Sequence, residues 1–350
     1  MKKRILPVVA LPLLTLVLSG CSTPTGSSTG SSSPVVYVAG EYTGGSGYAV
    51  ACYWNGTTKQ DLPGGPGNAV ANSISISAST VYTAGYYNNG TMNVACYWVG
   101  TTKYDLPSTA TTPYGSMANS IFISGGTVYT SGEYWNGTTY VACYWMGTTK
   151  QDLPADVSGT KPAFAYSIYV SGGTVYTAGY YFSTVTSKNV PCYWTGTTKV
   201  DLSAGITSFS GQANSIYVSG GTIYTAGLYF TGVGVSTACS WTGTTRQDLP
   251  TPAGQAEALS ILVSSGTVYA AGDYFVSGTG YTACYWTGTT RQDLPAAAAG
   301  RARSIFVSGG SVYTCGNYTN GSAFPACYWT DTAKTDLPGN TAIAYSISVQ

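Results

Sequence analysis

Apolar and polar positions alternate along the chain in short runs, with no sustained helical period and no paired capping signals. From residue 35 onward the runs are rich in Val, Ile, Thr, Tyr and Trp and are bounded by Gly and Ser clusters. That is the signature of strands joined by hairpins, because branched and aromatic side chains fit a pleated, half-buried surface. Around residue 220, NSIYVS (214–219) predicts one strand and SGG a turn, and TIYTAG (222–227) predicts a second strand. ACSW (238–241) opens a third, and TRQDL (245–249) gives a fourth after a Gly-Thr turn.

This unit recurs seven times. A tetrapeptide ending in Trp appears as ACYW, PCYW or ACSW, with its cysteine at 52, 96, 143, 192, 239, 284 and 327. Four strands in each repeat match a propeller blade, whereas a solenoid coil is too short to hold them. The predicted fold is therefore all-β, a seven-bladed β-propeller of four-stranded antiparallel blades. VVYVAG (35–40) reads as a second strand with no first, and YSISVQ (345–350) as a first strand with no second. Pairing the C-terminal strand into the N-terminal blade would close the ring and leave no inner edge unpaired.

Composition narrows the chemistry. Charged residues make up 8% of the 350, against roughly 25% in an ordinary soluble protein. There is no histidine, which removes His-based nucleophile systems, His-ligated metals and imidazole switching. Lys59, Lys103, Lys150, Lys199, Arg246, Arg291 and Lys334 each stand two residues before an Asp, on the same face of a strand. The outer strands thus neutralise themselves, and no basic track remains for nucleic acid. The repeated cysteines lack the paired spacing of zinc sites and read as small buried apolar groups. No metal and no cofactor is expected. The repeated Trp (54, 98, 145, 194, 241, 286, 329) reads as core between blades. Cys315 and Cys327 fall on strands joined by one hairpin, so a disulfide between them is an option in an exported protein.

At the N-terminus, Lys2, Lys3 and Arg4 precede an apolar stretch over 5–18 that holds two prolines. It is shorter than the about 20 residues of a spanning helix and reads as a secretory signal. Its end, Leu18-Ser19-Gly20-Cys21, resembles the lipobox of bacterial lipoproteins. The resemblance implies removal of residues 1–20 and acylation of Cys21, palmitate included, which anchors the chain to a membrane through several acyl chains. Ser22 rather than Asp implies export to the outer membrane. Residues 21–34 then form a Ser/Gly-rich tether about 20 Å long, and 35–350 the propeller. The units also resemble bacterial extracellular repeats named after a His-Ala-Phe motif. Tyr53-Trp54, Asp61-Leu62 and Ser124-Gly125-Gly126 stand at comparable places, but the leading His is missing. That resemblance implies a surface location and no particular activity.

What differs between units marks the candidate site. The SGG and Gly-Thr turns should share one rim. The long, divergent connections (86–94 and 180–190 between second and third strands, 107–118 and 154–165 between blades) should share the other, where function usually lies. The position after each second-strand glycine is Glu41, Tyr86, Glu133, Tyr180, Leu228, Asp273 or Asn317, followed each time by Tyr; Trp135 lies outside the repeated tetrapeptide. Glu41, Tyr86, Glu133, Trp135, Tyr180, Asp273 and Asn317 are the expected ligand-binding residues, ringing a mouth for a protein or carbohydrate. A second varying column (Ser75, Phe122, Tyr169, Tyr217, Leu262, Phe306, Ser348) reads as adjustment of core size. The expected function is a monomeric, membrane-anchored, non-catalytic surface or periplasmic propeller. The alternative is a glycoside hydrolase or polysaccharide lyase using carboxylates or Tyr on the same rim. Hydrolysis needs two carboxyls roughly 5–9.5 Å apart. A calcium-dependent module lacks the clustered acids it would need.

Overall fold

The computed structural model describes residues 34–156, 158–203, 210–252, 254–296, 298–339 and 341–350. Cys21, the signal stretch and the tether up to residue 33 lie outside the described residues. Seven antiparallel sheets of four strands form the blades of one compact unit, Pro34–Gln350. In six of them the strands follow chain order; in the remaining blade the order is Ala342–Val349, Val36–Thr43, Ala49–Asn55, Thr58–Asp61. The terminal strand pairs from Val36↔Val349 to Tyr42↔Ala342, and Val35 and Gln350 exchange backbone hydrogen bonds of 2.8 and 3.0 Å. The ring is closed as the incomplete end units predict.

Two inter-blade devices repeat around it. In the innermost strands the Ser of each Ser-Ile pair accepts a hydrogen bond from the Ile N–H of the next blade. The cycle runs through Ser73, Ser120, Ser167, Ser215, Ser260, Ser304 and Ser346, at 3.1–3.3 Å. Further out, every repeated Trp is fully buried. Six of them donate Nε1–H to the proline carbonyl that ends the preceding blade, as Trp145 does to Pro107 at 2.7 Å. Trp241 has no such partner among the described residues; Ser203 stands where the other blades have proline. A large ring buried with its polar atom satisfied is both packing and staple.

The Tyr after each variable position belongs to the scaffold. Tyr134 donates to Asp152 at 3.0 Å while Lys150 Nζ lies 3.5 Å from its ring centroid, and the arrangement recurs in other blades, as at Tyr42 and Tyr181. The outer Lys–Asp pairs are therefore knitted to the second strand through cation–π contacts.

Two expectations need correction. The two connections named between second and third strands are short, because the ladder continues outward: Asn88 still pairs with Asn93 and Ser183 with Lys188. Cys315 and Cys327 are free thiols. Cys315 lies opposite Tyr328 and Cys327 opposite Gly316, so alternation puts the two sulfurs on opposite faces of the sheet, in different core clusters.

Candidate functional site

Each innermost strand contains a β-bulge at one place. The register passes from Ala71 to Ser73, from Ala118 to Ser120, and likewise around the ring, skipping one residue per blade. The skipped residues are Asn72, Asn119, Tyr166, Asn214, Leu259, Arg303 and Tyr345. The glycine opposite is required: a Cβ on Gly85 or Gly132 would overlap the carbonyl oxygen of Val70 or Met117. A bulge leaves its extra residue outside the ladder and re-aims the side chain. Here those side chains converge, with Gln212, on a cavity of about 380 Å³ lined from all seven blades. It opens at the mouth of the central channel on the divergent-loop rim, since the bulges lie near the starts of the inner strands. Larger clefts of about 470 and 510 Å³ open between rim loops, around Asn68 and Asn88 and around Ser183 and Asn189. Each belongs to the loops of neighbouring blades, whereas the channel mouth gathers a varying side chain from every blade.

The sequence-predicted residues stand one layer behind this ring. Asn119 donates to Glu133 Oε2 at 2.6 Å, Tyr345 to Glu41 Oε1 at 3.1 Å, and Arg303 Nε to Asn317 Oδ1 at 3.3 Å. The Tyr180 ring lies 5.8 Å from that of Tyr166. Asp273 is fully buried, opposite Glu257 and 4.0 Å from Arg301 Nε, while Arg301 holds Glu257 at 2.8 Å. Neither carboxylate oxygen of Asp273 has a hydrogen-bond partner among the described residues. Tyr86 also borders the peripheral cleft around Asn88. Trp135 sits farther toward the rim, against Tyr114 and Tyr140. The acids thus have separate local partners.

Burial sets the proton affinities. It pushes the Glu133 carboxyl up to about 8 against the lowering effect of Asn119, and Asp273 to about 8 with Glu257 adding to the shift. Burial raises Glu41 too, opposed by Tyr345 and Arg303. The Tyr345, Tyr166 and Tyr180 phenols are all raised, first by desolvation. All eight described thiols are likewise buried and raised, which leaves them inert. No group of three or more metal-ligating side chains occurs among the described residues.

Three amides carry the polar chemistry. Asn72, Asn119 and Asn214 each donate Nδ2 to a carbonyl of the following blade (Ala118, Ala165 and Ala258) at 2.9, 3.1 and 2.9 Å. Their Oδ1 atoms make no hydrogen bond among the described residues, so the mouth holds three oriented acceptors open to a ligand. Sequence reasoning missed this column. The available signal was that the residue before each Ser-Ile also varies between units, with four residue types in seven places against five after each glycine. The other varying column does pack with the core, Leu262 within a buried cluster and Phe122, Tyr169, Tyr217 and Phe306 against others, and all of it but Tyr169 also lines a second cavity of about 320 Å³ at the opposite end of the channel.

No protein-family model and no curated protein sequence matches the chain. Among solved structures it is similar to a puromycin-hydrolysing peptidase of Mycobacterium tuberculosis, at 11% identity and a TM-score of 0.55. That likeness covers 87% of this chain and 53% of the peptidase, so the chain spans about half its length. It is also similar to the polysaccharide lyase Uly1, at 10% identity and a TM-score of 0.47, over 88% of this chain and 87% of the lyase. Identities this low speak to the fold alone.

Proposed function

We propose that the ring is the head of a lipid-anchored envelope protein and binds a glycan at the channel mouth without catalysing its breakdown. The observation that carries the binding reading is the set of free amide oxygens on Asn72, Asn119 and Asn214, each fixed by a bond to the next blade. Prepositioned acceptors beside Tyr166, Tyr345 and Arg303 suit a ligand rich in hydroxyl donors. A volume of about 380 Å³ falls within the roughly 300–1,000 Å³ of small-molecule sites.

The non-catalytic reading rests on burial. Glu133, whose raised affinity would suit a general acid, is 3% exposed and lies behind Asn119. A phenol raised by desolvation, as at Tyr345, makes a poor lyase base at neutral pH. The anchor reading rests on the lipobox-like Leu18–Cys21. The described ring begins on the short-turn rim, where Val35 pairs with Gln350.

The test is a glycan array followed by calorimetry on the Pro34–Gln350 ring. Asn72→Ala/Asn214→Ala should weaken binding at least tenfold. An array with no bound glycan overturns the reading, and release of reducing ends or unsaturated sugars from a bound glycan replaces it with the hydrolase or lyase alternative. For the anchor, Cys21→Ala should move the full chain from the membrane to the soluble fraction of lysed cells; unchanged membrane association overturns it.

A further inference from the structure

The mouth does not end at the channel wall. From Tyr166, which lines it, a continuous series of rings runs outward across two blades. Phe164 lies 6.2 Å from Tyr166 and 5.0 Å from Tyr180; Tyr140 lies 5.3 Å from Phe164, Trp135 5.3 Å from Tyr140, and Tyr114 4.9 Å from Trp135. Tyr166 and Phe164 come from the inner strand Ala163–Ser171, Trp135 and Tyr140 from the hairpin of the preceding blade, and Tyr114 from the connection before Ser116–Ser124.

This lane does not resemble the protein's other aromatic layers. The seven repeated Trp are fully buried, whereas Trp135 is half-buried and Tyr114 is 51% exposed. Core rings do not need solvent; rings left half in water at successive steps offer faces to a ligand with apolar and polar sides. We infer that the lane is a row of stacking subsites continuous with the channel mouth, and that the ligand is a linear, uncharged glycan. Its end occupies the mouth, and its following units lie over Tyr140, Trp135 and Tyr114. This rests on the glycan reading of the mouth.

The chemistry selects the class. Ring-to-ring steps of 4.9–6.2 Å are comparable with the length of one pyranose unit; the planes turn by 69° from Tyr140 to Trp135 and by 74° from Trp135 to Tyr114, so consecutive sugars meet ring faces and ring edges in turn. The lane's own rings carry no charge. At the mouth, Arg303 is engaged with Asn317, Arg301 with Glu257, and Glu41 with Tyr345. Of the residues lining the mouth only Arg303 carries a charge, and the asparagine amides and the ring surfaces make up the rest of what meets the ligand.

Affinity electrophoresis of Pro34–Gln350 through gels containing hydroxyethyl cellulose, xyloglucan, glucomannan, laminarin or pullulan tests this. Retardation is expected in at least one gel, with Tyr114→Ala/Trp135→Ala at least tenfold weaker and Trp135→Phe close to native. Asn72→Ala/Asn214→Ala should be weakened as well. Retardation that the mouth pair abolishes and the lane pair leaves intact overturns the lane and keeps the mouth. Retardation in none of the gels overturns the lane, while the mouth reading still stands or falls on its array. A measurement on the native ring removes dependence on the folding of the variants. Because Trp135 is the one tryptophan of eight that is not fully buried, the retarding polymer should protect fluorescence from acrylamide at least twofold. Unchanged quenching overturns the lane.

Discussion

Trp145 and Asn119 belong to the same blade but to regions built on opposite rules. Trp145 sits in the seam, where six other blades carry the same residue and its indole is tied to Pro107 across the interface. Asn119 sits at the mouth, where its counterparts are Asn72, Tyr166, Asn214, Leu259, Arg303 and Tyr345. The seam must solve one packing problem seven times, so one solution repeats. The mouth has only one centre, shared by all blades, so its residues can differ and together compose a single surface. Repetition therefore marks what each wedge needs to stand beside the next, and variation marks where the wedges meet around a common space.

The contrast predicts unequal effects. Trp145→Ala should cost about 3–5 kcal/mol by denaturant unfolding, as loss of a fully buried large side chain does; a loss below 1 kcal/mol would mean that the seam is not what holds the blades.

Glu133→Gln tests the layer between seam and mouth. Its carboxyl rises from 4.5 to about 8 in the fold, so the folded chain keeps a proton that the unfolded chain releases. Stability is therefore undiminished below pH 4.5, falls as pH rises toward 8, and is lowest above it. Asp273, raised to about 8, adds a slope of the same sign. Gln keeps an acceptor for Asn119 and removes the ionisation. The variant should equal the native protein at pH 4.5 and exceed it by up to about a few kcal/mol at pH 8.5. Parallel pH profiles for the two proteins would exclude the buried charge as the cause.

The smallest effect on stability belongs to the mouth itself. Asn72→Ala/Asn214→Ala, the pair that should weaken binding at least tenfold, removes two neutral hydrogen bonds worth about 1 kcal/mol each. If it destabilised as much as Trp145→Ala, the mouth would be scaffold after all.

Strand type, blade number, ring closure and the Trp seam were all legible in the chain, because each depends on a local period or on a need repeated in every unit. The column after the second-strand glycine was legible as variable, and it does stand close behind the mouth. Its depth was not legible: period-two alternation assigns Glu133 to a face, and only the neighbouring blade decides whether that face meets water. The bulge column was hidden because one skipped residue breaks the alternation from which facing is inferred.

The tertiary structure alone decided the rest. It decided that Asn72, Asn119 and Asn214 turn inward together, that Cys315 and Cys327 face apart, and that Tyr114, Trp135, Tyr140 and Phe164 form one lane. The sequence by itself determined the wedge and the number of wedges, since hydrophobic period and turn chemistry act over a few residues. Which side chains meet across wedges depends on curvature, register and closure of the whole ring, and those are properties of no single repeat.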